Sequence, residues 1–73
     1  MEYLIIIEKS KTGYSAYPPD LPGVGVTGKT KKLVLALIKE AIEFHLEDIY
    51  SSGKKIPKPK NEAATVTVKI KAA

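Results

Sequence analysis

Seventy-three residues, no cysteine and a net charge of +4 allow one small domain with a thin core, and leave no disulfide or thiolate metal site to reinforce it. No apolar run is long enough to span a bilayer, and Glu2 with no basic lead-in does not read as a signal peptide, so a cytoplasmic protein is expected. All twelve basic residues are lysine; without arginine, bidentate recognition of phosphates or base edges is disfavoured, and self-association is the remaining common route to stability.

Residues 3–8 (Tyr-Leu-Ile-Ile-Ile-Glu) predict a first strand, β-branched and without breakers. Tyr3, Ile5 and Ile7 fall on one face, Leu4 and Ile6 on the other, the pattern of a strand central in its sheet. Residues 9–13 form a polar turn ending in Gly13, and residues 14–17 return as a second strand, giving a hairpin. Pro18, Pro19 and Pro22 then stop the sheet, because they remove N–H donors and fix φ. The segment Pro19-Asp20-Leu21-Pro22-Gly23 reads as a rigid surface turn with Leu21 tucked inward, followed by a short third strand over residues 24–27.

The spacing predicts one long helix from about Thr30 to Tyr50. Val34, Leu35, Ile38, Ala41, Ile42, His45, Leu46 and Ile49 make a broad apolar stripe for a sheet. Thr30 caps its start and Gly53 its end. Leu33, Leu37 and Phe44 form a second, narrower stripe, covered either by the loop after Gly53 or by another chain. Glu40, Glu43 and Glu47 face water, while Lys31 and Lys32 in the first turn oppose the helix dipole. Beyond Gly53, Pro57 and Pro59 impose an extended linker. Residues 64–71 alternate cleanly, with Val66, Val68 and Ile70 on one side and Thr65, Thr67, Lys69 and Lys71 on the other, and predict a fourth strand. The β-β-β-α-β order gives an α+β fold with one helix on one face. A right-handed crossover puts strand four beside strand one, for a spatial order 3-2-1-4.

Little here suggests catalysis. His45 is the only histidine and has no carboxylate beside it on its stripe, so it reads as a core or boundary residue. Gly23 to Thr30 matches G-x-x-x-x-G-K-T, yet Val24, Val26 and Thr27 read as strand, and the parallel sheet and acidic metal ligand of such a site are missing. No catalytic residue, cofactor or metal is assigned, and no enzyme activity is expected. A nucleic-acid reading would use Lys54, Lys55, Lys58 and Lys60 with Tyr14 or Tyr17 as a stacking platform.

Gly13-Tyr14-Ser15-Ala16-Tyr17, Pro19-Asp20-Leu21-Pro22-Gly23, Gly28-Lys29-Thr30, Glu40-Ala41-Ile42 with His45-Leu46, and Ile56-Pro57-Lys58-Pro59 together resemble the HicB family of antitoxins, in the family's order and over nearly the whole chain. The resemblance implies a partial ribonuclease-H-like fold, with which the strand order argued above is compatible. It implies a partner too: a HicA-like toxin, a small basic mRNA-cleaving protein with a catalytic histidine. A nuclease of the ribonuclease H kind needs converging carboxylates, and residues 65–71 carry none. The expected protein is a short, single HicB-like domain over residues 1–73, without the C-terminal DNA-binding segment usual in the family, so nucleic acid is not an expected partner. The expected toxin contacts are Glu40, Glu43, Glu47, Tyr14 and Tyr17. Leu33, Leu37 and Phe44 are expected at the interface of a dimer or tetramer, and Pro19 to Gly23 form the structural turn. The alternative is a stand-alone relative that binds RNA or another small protein and has no cognate toxin.

Overall fold

The computed structural model describes residues 1–71. Strands β1 (Ile6–Lys9), β2 (Tyr14–Tyr17) and β3 (Val26–Gly28) form an antiparallel meander, and one helix, α1 (Lys31–Ser51), follows. In β1 and β2 Ile6 lies opposite Tyr17 and Lys9 opposite Tyr14, which leaves residues 10–13 as a four-residue loop. The Ser10 N–H donates to the Gly13 carbonyl at 2.8 Å. Gly13 is required by close approach: a Cβ there would collide with the carbonyl oxygen of Gly28 on β3.

The Pro-rich connection between β2 and β3 is held from inside. Leu21 is 1% exposed and Pro18 is fully buried. Leu21 N–H donates to the Pro18 carbonyl at 3.0 Å, and Val24 N–H to the Leu21 carbonyl at 3.3 Å. Gly23 has φ +89°, a left-handed conformation that costs other residues free energy. Burying a leucine this fully stabilises by about 1.5–3 kcal/mol, enough to hold the turn against the sheet.

Helix α1 starts and stops by local chemistry. The Thr30 hydroxyl accepts from the Leu33 N–H at 3.0 Å. At the other end Gly53 takes φ +75°. Its N–H donates to the Tyr50 carbonyl at 3.1 Å, and Lys54 N–H donates to Ile49 at 3.2 Å. These two bonds are the Schellman pair that satisfies the last carbonyls. The helix lies over β2 and β3, where Val34 and Leu33 press on Gly28. Val34, Ile38 and Ile42 are buried with Ala16 and Leu21, and Tyr3, Ile5, Ile7, Tyr14, Val24, Val26 and Leu46 pack around them.

The expected fourth strand does not pair with its own sheet. Residues 64–71 run without a ladder partner, and Val66, Val68 and Ile70 are 84%, 73% and 93% exposed. The sheet order is therefore β1-β2-β3, so β2 is central and β1, expected in the middle, is an edge strand. Regular pairing in β1 begins at Ile6 instead of Tyr3, since β2 ends opposite it at Tyr17. Pairing in β3 begins at Val26 instead of Val24. Leu35, placed by its spacing on the buried stripe, is 42% exposed because no strand lies beneath it on the β1 side.

The linker after α1 is tied back to the body. The Tyr3 hydroxyl donates to the Pro57 carbonyl. The Asp20 carboxylate accepts from Lys60 N–H at 2.8 Å, Asn61 N–H at 3.0 Å and the Asn61 side-chain amide at 2.5 Å. These bonds hold the Asp20 carboxyl below its ordinary value of 3.8, with the Lys60 N–H the largest cause and the Asn61 N–H the next.

Two outcomes follow. Gly23→Val should destabilise by about 1–3 kcal/mol, since valine is strained at this φ, and so lower Tm by about 5–15 °C. No neighbouring atom lies within 4 Å of the added Cβ, so a melting curve superimposable on wild type would show that the backbone relaxes freely. For Asp20, a depressed pKa means the anchor is fully present at neutral pH and is lost as pH falls below the ordinary carboxylate value and through the lowered one. Protection of the Lys60 and Asn61 amides, taken relative to the intrinsic exchange rate at each pH, should fall over that range in the wild type. In Asp20→Asn it should already be low at neutral pH.

Candidate functional site

A groove of about 520 Å³ runs between α1 and the chain leading into β3. It is lined by Gly23, Val24, Gly25 and Val26 on one side and by Leu37, Glu40, Ala41, Phe44 and His45 on the other. The left-handed Gly23 and the side-chain-free Gly25 keep the first wall low. The second wall is built by helical spacing, because residues 37, 40, 41 and 44 repeat every three to four positions along one flank. Phe44 is 75% exposed at the groove's end. It continues into a shallow depression of about 220 Å³ with Glu47, Asp48 and Ser51. An exposed aromatic ring thus stands among Glu40, Glu47 and Asp48 on a chain that is basic overall.

The structure joins some of the expected site residues and separates others. Leu37, Glu40 and Phe44 share the groove, and Glu47 adjoins Phe44. Leu33 is not part of it; it packs against Gly28 at the helix start and is 45% exposed. The loop after Gly53 does not cover this second stripe, since it runs to Tyr3 and Asp20. Glu43 pairs with Lys39 at 3.2 Å and lines a different groove on the opposite flank of the helix. Tyr14 packs against the core with Lys9 over its ring at 5.9 Å. Tyr17, three residues along the same strand, points to the other face and is 40% exposed. The two tyrosines therefore lie on opposite faces of the sheet.

Pro19 to Gly23 do form the structural turn, and Asp20 has a function that spacing alone did not reveal: it binds residues 60 and 61. The only sequence hint was a carboxylate placed on a proline-fixed turn. His45 sits half-buried at the groove wall. The residues matching the nucleotide-loop pattern do not form a phosphate cradle. Val26–Gly28 is a strand in the ladder with β2, and the Thr30 hydroxyl is engaged as helix cap. Among the described residues no three His, Cys, Asp or Glu side chains gather to hold a metal ion, and no helix is long and apolar enough to cross a membrane. The surface is equipped to bind a protein, through an apolar groove with an aromatic end and an acidic rim.

Residues 3–69 match the model of the HicB-like antitoxins of bacterial toxin–antitoxin systems. A UPF0150 protein of Thermoplasma acidophilum is 43% identical over 67 residues, covering 90% of this chain and 97% of its own. An uncharacterized 14.9 kDa protein from the rep-hol intergenic region of Haemophilus phage HP1 is 40% identical over 58 residues, 80% of this chain but 44% of the phage protein. A UPF0150 protein of Helicobacter pylori is 46% identical over 44 residues, 60% of this chain and 61% of its own. No solved structure matches the chain significantly. With 67 of its residues spanned by the family model, the chain belongs to the HicB-like antitoxins.

Proposed function

We propose that this chain binds a small, basic HicA-like toxin and blocks its cleavage of mRNA by covering the toxin's catalytic histidine. The observation that carries the reading is Phe44, an exposed aromatic anchor at the end of an apolar groove, ringed by Glu40, Glu47 and Asp48. Aromatic side chains concentrate binding energy at protein interfaces, and an acidic rim attracts a basic partner and speeds encounter. Leu37 and Phe44, expected at a self-association face, are assigned here to the toxin. Glu43 is left out because it lines the groove on the other flank of the helix. The groove walls are the helix flank and the chain held by buried Leu21, so the surface exists before the partner arrives and little ordering cost opposes binding.

Coexpression with the product of the adjacent gene, followed by purification and an RNA-cleavage assay, tests the reading. Absence of a complex at micromolar concentrations, or full cleavage within a complex, would sink it. Phe44→Ala should weaken the complex by about 30-fold, mainly through faster dissociation. The pair Glu40→Lys with Glu47→Lys should slow association, with a smaller salt dependence than wild type, and adding the uncharged, shortened Glu43→Ala should change the rate little further. If the triple variant were much slower than the double, the groove centred on Phe44 would be the wrong surface.

A further inference from the structure

Three features away from the Phe44 groove fit one another. The first is the arm formed by residues 64–71, extended and solvent-exposed, with Val66, Val68 and Ile70 on one side and Thr65, Thr67, Lys69 and Lys71 on the other. It projects from the body. The radius of gyration is 15.6 Å and the longest extent 59 Å, where a compact chain of this length has a radius of about 11 Å. The second is the outer edge of β1, which is paired with β2 on one side only. The third is an apolar groove of about 320 Å³ whose lining includes Tyr3 and Ile5 from the start of the chain and Leu35, Ile38, Ile42 and Leu46 from α1.

We infer that the arm of one copy seats as a fourth strand on the β1 edge of a second copy, with Val66, Val68 and Ile70 entering the second copy's groove, and that the exchange is reciprocal. The arm is long enough: a strand of seven residues reaches about 23 Å at about 3.3 Å per residue, which covers the four residues of β1 and the segment from Tyr3 to Ile5 that precedes it. The chemistry matches too. A period-two strand offers one apolar side to a groove and one polar side to water, and its backbone satisfies the free N–H and C=O groups of an edge strand. The occupant is a second copy because each copy carries one unpaired arm and one open edge. Residues 60 and 61 are held on Asp20, and the arm leaves the body beyond that point, so its own groove stays open. A two-fold dimer closes both arms and both edges at once. The completed sheet has the order 3-2-1-4, with strand four supplied by the partner.

Two measurements decide the matter on the full chain. Wild type should sediment as a dimer at micromolar concentration, and Val66→Glu with Val68→Glu should sediment as a monomer that keeps the helical signal of α1 and loses β-strand signal in the far-UV spectrum. In the second, unlabelled Lys39→Cys protein carrying a nitroxide is unfolded and refolded with isotope-labelled wild type; the chain has no cysteine of its own. Lys39 lies at the groove, so amides of residues 65–71 in the labelled copies should broaden. A monomeric wild type, a dimeric double variant, or a dimer whose arm amides are untouched by the partner's label would each overturn the exchange. The readouts need no toxin, so they separate this inference from the antitoxin reading.

Discussion

Asp20 receives three hydrogen bonds from residues forty and forty-one positions later, and much of the molecule depends on that arrangement. A carboxylate can hold two backbone N–H groups and an amide only if it does not move, and the proline-bounded turn fixes it. The turn stays in place because Leu21 and Pro18 are buried beneath α1 and the sheet. The helix stays in place because Val34, Ile38 and Ile42 close on the same leucine. One carboxylate therefore converts a five-residue core into a reference point for the end of the chain. It determines where the linker stops following the body and where the arm begins.

Much of this was legible from residue types because its causes are local. Thr30 caps the helix within one turn, Gly53 ends it with two backbone bonds, and the prolines stop β2 where they stand. The fourth strand shows the limit of such reading. Alternation of Val66, Val68 and Ile70 with threonine and lysine states that the segment suits a sheet edge, but periodicity carries no information about whose edge. Leu35 shows the same gap from the other side. Its spacing assigns it to the apolar stripe, yet whether that part of the stripe is covered depends on a strand that its own chain does not supply. The acidic residues show a related gap. Glu40, Glu43 and Glu47 share a helical face by spacing, but spacing does not say that Glu40 lines one groove and Glu43, beside Lys39, the other.

Helix α1 is a wall common to two grooves, and this separates its two proposed tasks. Leu37, Glu40 and Phe44 look toward the chain entering β3, whereas Leu35, Ile38 and Ile42 look toward the β1 edge. A strand arriving at β1 would lie under one flank and leave the other open. Filling the β1 groove also affects the helix as a whole, because Ile38 and Ile42 belong both to that groove and to the buried core. Apolar contacts added there stabilise the element that carries Phe44 without touching Phe44. With both proposed contacts made, a 73-residue chain with a thin core would gain a firmer platform for one partner from the strand of another copy, the two contacts kept apart by the width of a single helix.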